Sequence, residues 1–300
     1  HHMWMWWKPM ESTKITIGAI LQPVGGLAPD GSSIGQGYLT GTVVLIGFGN
    51  LHTSYKTGLL METKVNDWLG IEFAIIDPDD DGTANMTGTA LPGIPGGPVP
   101  NEEIDIPRFD IAFPMKFGNF QTKPKFSFTG REFDQVGINS EDSYETWAAS
   151  IDARVTFGPL RITGEYSTGE NLADGNNTGG IAAVDAMAYV DTQGVTRISD
   201  AEYDMWFLSA RYTFTKKLAA FIYYGENEAE NDRNPATQAD DWFVEQSGYG
   251  LAFQYNITPQ FYLRPEYTIH EYGDSNKRGA ATTTDNGTRT TVGVRFNLAW

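Results

Sequence analysis

The stretch TVGVRFNLAW, Thr291 to Trp300, decides the fold. Val292, Val294, Phe296, Leu298 and Trp300 alternate with Thr291, Gly293, Arg295, Asn297 and Ala299. A period of two belongs to a β-strand with one apolar and one polar face. The segment before it repeats the pattern, with Phe261, Leu263, Pro265, Tyr267 and Ile269 against Tyr262, Arg264, Glu266, Thr268 and His270. Before that, Tyr249, Leu251, Phe253, Tyr255 and Ile257 oppose Gly250, Ala252, Gln254 and Asn256. Only Thr258-Pro259-Gln260 separates these two segments, which marks a hairpin with a tight turn.

Further hairpins follow toward the N-terminus. Segments 203–215 and 218–228 meet at Lys216-Lys217, 143–157 and 160–167 at Gly158-Pro159, and 105–117 and 120–135 at Gly118-Asn119. Segments 55–64 and 68–76 meet at Asn66-Asp67, and 1–8 and 13–21 meet at Pro9 to Ser12. The other connections are long, about 22–54, 77–104, 136–142, 168–202, 229–241 and 273–287, and rich in Gly, Asn, Asp, Pro and Thr. Short turns at one rim and long loops at the other predict an all-β, antiparallel, up-and-down transmembrane barrel over 1–300, a single domain. The one segment with a helical look, 181–190, sits inside a long loop.

Thirteen strands can be read. The first and last both run toward the short-turn rim, so an even barrel of about fourteen strands predicts one more strand upstream of residue 1. A second reading lets residues 37–48 (GYLTGTVVLIGF) change the parity, as a strand pair, an inward-folded loop or a subunit contact. No secretion signal is visible, and His1-His2-Met3 is either native or the remnant of a tag.

Composition narrows the function. The 300 residues include no cysteine, which excludes disulfides, thiolate metal sites and a cysteine nucleophile. A net charge of −17 excludes a nucleic-acid partner. No run of about 18 apolar residues can form a membrane helix, and a barrel needs none.

The terminal strand GVRFNLAW resembles that of Gram-negative outer-membrane porins, with Val294, Phe296, Leu298 and Trp300 in the alternating outward positions. Trp stands at the end, where Phe is more usual. The resemblance implies an outer-membrane location, contact with lipid, recognition of this strand by the barrel-assembly machinery, and passive diffusion of small hydrophilic solutes or ions. The opening WWKP and KITIG, Trp6 to Pro9 and Lys14 to Gly18, is similar to barrel proteins of spirochaetes.

In a barrel the polar face of each strand points into the lumen. The basic residues on those faces are Lys14, Lys56, Lys64, Arg108, Lys116, Lys123, Lys125, Arg131, Arg154, Arg161, Arg211, Arg264 and Arg295. The acidic ones are Glu62, Glu72, Asp110, Asp152, Glu165 and Glu266. Thirteen against six puts about +7 on the wall and leaves about −24 elsewhere. A basic wall favours anions, whereas wall charges paired across strands would merely solvate the interior. Both readings stay open at this stage.

Four further features are candidates for a site. Asp77, Asp79, Asp81 and Gly82 form D-x-D-x-D-G, which can gather a calcium ion or be a solvated acidic turn. The twelfth position of an EF-hand falls on Gly88, which excludes that motif. Glu226, Glu228, Glu230 and Asp232 read as a second solvated acidic turn. Most tryptophans fall near strand ends, as interface girdles require, while Trp4, Trp6 and Trp68 fall on inward phases where sugars could stack. His270 lies on the polar face with no Ser or Asp motif beside it, so no catalytic group emerges. The leading expectation is a channel, with or without assembly into a homo-oligomer. The alternatives are a surface barrel that binds a partner through its acidic loops and a soluble sugar-binding β-protein.

Overall fold

The computed structural model describes residues 3–21, 23, 55–77, 102–133, 143–171, 187–190, 196–231, 242–258, 260–271, 274–276, 283–285 and 287–298. They form strands β1 (Trp4–Met10), β2 (Thr13–Leu21), β3 (Tyr55–Lys64), β4 (Gly70–Ile76), β5 (Glu102–Ala112), β6 (Met115–Phe117), β7 (Phe120–Phe133), β8 (Ser143–Phe157) and β9 (Leu160–Glu170). Then come β10 (Met187–Val190), β11 (Thr196–Ser199), β12 (Ala201–Thr213), β13 (Leu218–Asn231), β14 (Trp242–Asn256), β15 (Phe261–Glu271), β16 (Asp274–Asn276), β17 (Thr283–Asp285) and β18 (Thr288–Leu298). The main sheet runs β1-β2-β3-β4-β5-β7-β8-β9-β12-β13-β14-β15-β18, every neighbour antiparallel, with β1 and β18 at its two ends. These are the thirteen strands legible in the sequence. No helix occurs among the described residues.

The faces of this sheet are inverted relative to a soluble protein. Ile17, Phe126, Ile151, Leu208, Ile222, Leu251, Val292 and Phe296 are exposed. Asp110, Asp152, Thr163, Ser167 and Asn227 are fully buried. A flat single layer leaves both faces open, so one-sided burial of polar groups follows from a sheet that curls round on itself. The result is a polar interior inside an apolar girdle, the arrangement that lipid demands.

Close turns hold the near rim together by three kinds of local chemistry. Phe117 pairs with Phe120 around Gly118-Asn119, and Phe157 with Leu160 around Gly158-Pro159. Both glycines have positive φ, 60° and 55°, which tight hairpins need and which a side chain resists. Elsewhere the first turn residue accepts two backbone N–H groups through its side chain: Asn66 Oδ1 from Trp68 and Leu69, Thr215 Oγ1 from Lys217 and Leu218, and Thr258 Oγ1 from Gln260 and Phe261.

On β12 and one residue past its end, the outward residues Trp206, Leu208, Tyr212 and Phe214 are all exposed. The eight steps from Trp206 to Phe214 span about 26 Å along the strand and about 20 Å at the usual barrel tilt, near the roughly 25 Å of an outer-membrane apolar band. Beyond that band the outward face changes sign. Glu170, Glu202 and Glu230 stand in register across β9, β12 and β13, and Asp204, Glu228 and Glu245 across β12, β13 and β14. Carboxylates do not sit in hydrocarbon, so this row marks where the lipid core ends. Just below it, Trp206 packs on Tyr224 at 5.2 Å, and the Tyr166 hydroxyl donates to Asp204. This is the interface girdle expected of Trp206.

Several boundaries differ from the sequence reading. Strands β9, β12 and β13 extend to Glu170, back to Ala201 and to Asn231, into segments read as loops. Glu226, Glu228 and Glu230 therefore lie on a strand and face outward; they do not form a turn. The helical candidate 181–190 is also corrected: Met187–Val190 pairs with Thr196–Ser199 as a hairpin. Segment 105–117 breaks between β5 and β6 at Phe113-Pro114, where proline offers no N–H to the ladder.

The apolar girdle predicts the effect of a charge placed on it. Ile222→Arg puts a guanidinium at mid-band and should destabilise the folded barrel by about 2–4 kcal/mol. A lower urea midpoint for the barrel refolded into phospholipid bilayers, with weaker heat-modifiable migration, is the expected result.

Candidate pore lining

The charged residues on the inner face sort into two sectors. The first, on β2 to β9, is built from ion pairs. Lys14 Nζ lies 2.8 Å from Glu62 Oε2, and Lys123 Nζ lies 2.8 Å from Glu72 Oε2. Glu62 and Glu72 are directly opposed across β3 and β4. Like charges so placed repel, and the two lysines reach in from β2 and β7 to offset that. Arg108 Nε donates to Asp110 Oδ1 and to Ser127 Oγ, each at 2.8 Å.

Deeper in the same sector, Asp152 and Glu165 are also directly opposed. Lys125 Nζ lies 3.1 Å from Asp152 Oδ2 and 3.2 Å from Glu165 Oε2, and all three side chains are at most 1% exposed. Ser167 Oγ bridges Glu165, at 3.0 Å, and Ser150, at 2.8 Å. One ammonium between two buried carboxylates is held by geometry and by these hydroxyls, because the desolvation cost of all three groups is high.

The second sector, on β8 to β18, carries arginines. Arg161 is directly opposite Arg211, and Arg264 is directly opposite Arg295. Arg154 Nε donates to Thr163 Oγ1 at 3.1 Å. Arg264 donates to Gln254 Oε1 at 3.2 Å and to the Tyr262 hydroxyl at 3.3 Å, and its Nε lies 3.9 Å from Glu266. The wall is thus polarised. Lys14, Arg108, Lys123 and Lys125 stand among five wall carboxylates on β3 to β9, while β12 to β18 carry Arg211, Arg264 and Arg295 and, among the described wall residues, the carboxylate Glu266.

The remaining candidates fall as follows. Lys56 is buried on the inner face of β3. Lys64 and Lys116 are exposed at the turn rim, and Lys64 pairs with the turn residue Asp67 at 2.7 Å. Its hydrogen bond and charge hold the Asp67 carboxyl below the usual value, but full exposure leaves little effect on stability. The Arg131 side chain lies outside the described residues. His270 is buried on the inner face, as its phase implied. A cavity of about 470 Å³ opens at the turn rim beside Lys14, Glu62, Trp68, Glu72 and Lys123.

On the terminal strand, Val294 and Phe296 face outward and are exposed. Leu298 ends β18, its side chain outside the described residues, and Trp300 lies outside them altogether. Of the candidate calcium loop, Asp77 is exposed just after β4, and Asp79 and Asp81 lie outside the described residues. Sequence reasoning missed the lumenal aromatics Phe207, Phe221 and Tyr223. The run Phe221-Ile222-Tyr223-Tyr224 is apolar on both faces, so alternation carries no phase there.

No protein-family model and no curated protein matches the chain. Solved structures do. OmpT of Vibrio cholerae, an outer-membrane protein, aligns over 98% of this chain and 79% of its own, with a TM-score of 0.54 and 13% identity. The fold is that of a Gram-negative outer-membrane β-barrel. An anion-selective porin from Comamonas acidovorans aligns over 97% of this chain and 86% of its own, with a TM-score of 0.50 and 10% identity. OprB of Pseudomonas putida aligns over 99% and 72%, with the same TM-score and identity. Likeness at these identities is one of fold. Together with the exposed apolar girdle it places this barrel in the bacterial outer membrane.

The buried triad yields a test of its geometry. Lys125→Met leaves Asp152 and Glu165 facing each other without a counter-charge and should cost about 3–5 kcal/mol. Adding Asp152→Asn and Glu165→Gln to that variant should recover most of the loss, read as urea midpoints of the refolded barrel.

Proposed function

We propose that this outer-membrane β-barrel is a passive channel for small hydrophilic solutes, with a mild preference for anions and no catalytic role. The observation that carries the reading is the pair of like-charged neighbours Arg161/Arg211 and Arg264/Arg295 on the inner wall. Opposed like charges destabilise a sheet; the opposed carboxylates of the β2–β9 sector are offset by lysines, whereas Arg211 and Arg264 are met by the Phe221 ring, Tyr262 and Gln254. Arginines held together lower the barrier for an anion that gives up hydration and raise it for a cation.

The chain's overall charge of −17 does not reverse this. The outward carboxylates of β12, β13 and β14 stand on the far side of the wall, and charges beyond about 8–10 Å are screened at ordinary salt. The likeness to an anion-selective porin agrees with the reading in fold. OmpT of Vibrio cholerae has a trimeric form, and a homo-oligomer is an arrangement open to this barrel too. The apolar outward row of β18 suits recognition by the barrel-assembly machinery.

Planar-bilayer recordings test the proposal. Stepwise conductance is expected, with a reversal potential across a KCl gradient of the sign set by chloride. Arg161→Gln with Arg211→Gln should move that potential toward zero. Folded protein that never opens, or a potential of the sign set by potassium, would sink the reading.

A further inference from the structure

A phenylalanine occupies the middle of the arginine sector. Phe221 is on the inner face of β13, 4% exposed, directly opposite Arg211 on one side and Ala252 on the other. The Arg211 guanidinium carbon lies 5.4 Å from its ring centroid and that of Arg264 lies 5.3 Å from the same centroid. Arg264 comes from β15, two strands away, and it reaches the ring across β14, where the inward residue is Ala252, fully buried. Any larger side chain at Ala252 would stand in that path.

Arg211 and Arg264 each have an arginine opposite on one side, so charge alone would drive the guanidiniums away from Arg161 and Arg295 toward β13 and β14. The backbones of β12 and β15 are three strand spacings apart, about 14 Å. A ring face attracts a guanidinium through its quadrupole and adds no charge of its own. Arg211 Nε has no hydrogen-bond partner among the described residues, and the ring lies against its guanidinium. Arg264 is fixed on its other sides by Tyr262, 5.2 Å from centroid to guanidinium carbon, and by Gln254.

We infer that Phe221 is a positioning residue: its ring gathers Arg211 and Arg264 from non-adjacent strands into one cationic spot on the pore wall, with Ala252 as the gap that permits it. The inference deepens the anion-channel reading and rests on it for its effect on permeation. The spot suits small oxyanions and halides, which accept from two guanidiniums at once.

The test uses the intact barrel in planar bilayers and in refolding. Phe221→Leu keeps an apolar side chain of similar reach and removes the ring face. It should fold and conduct within about twofold of wild type, while the chloride-to-potassium permeability ratio drops at least about threefold. Phe221→Tyr restores a ring and should restore the ratio. Ala252→Leu should mimic Phe221→Leu, although no aromatic group is touched. Where wild type prefers anions, an unchanged ratio in folded Phe221→Leu overturns the inference. A double-mutant cycle in urea between Phe221→Leu and Arg264→Gln separates this inference from the channel reading. Non-additive losses support positioning even if wild type lacks anion preference, an outcome that would remove the channel reading alone. Additive losses overturn positioning whatever the selectivity.

Discussion

Everything in this molecule depends on one constraint: inside a bilayer no water is available to backbone N–H and C=O groups. The sheet must satisfy them internally, strand to strand, while showing apolar side chains to lipid. That requirement places Ile222, Leu251, Val294 and Phe296 outside and, within the lipid span, turns the polar residues of the same strands inward. It also explains why so many Ser, Thr, Lys, Arg and Asp residues are buried. They line an interior closed off from lipid and meet one another there.

Once the charged residues share a face, their neighbours are set by cross-strand register, and register brings like charges together. The protein resolves this differently around the wall. Opposed carboxylates Glu62/Glu72 and Asp152/Glu165 are bridged by lysines, whose long flexible stems span a neighbouring strand. Arg211 and Arg264, each opposed to an arginine, meet neutral groups: Gln254, Tyr262 and the ring of Phe221. Guanidinium is planar and weakly hydrated, so it stacks where an ammonium would not. The two sectors therefore differ in electrostatic character although both are lined by strongly polar residues.

The strand count and hairpin pairings were legible because alternation and tight turns are local. Asn66, Gly118, Gly158, Thr215 and Thr258 announce turns by their own backbone or side-chain chemistry. Strand ends at the loop side were less legible. There the outward positions hold Glu202, Glu226, Glu228 and Glu230, because the strands rise past the lipid, and acidic residues on an outer face look like loop. The wall residues were mostly assigned to the correct face, yet half of their meaning was hidden. Alternation says that Lys125 points inward; it does not say that Asp152 and Glu165 await it on β8 and β9.

The sequence by itself determined the class of fold, the number of strands and the near-rim turns, since each depends on residues within a few positions of one another. Only the tertiary structure decided which charges neutralise and which accumulate, and that an apolar ring on β13 joins arginines from β12 and β15. Those outcomes depend on register between strands tens of residues apart, and on a reach of several ångströms across an intervening strand. No local periodicity encodes such distances. They exist only after the sheet has curled and its inner faces have met.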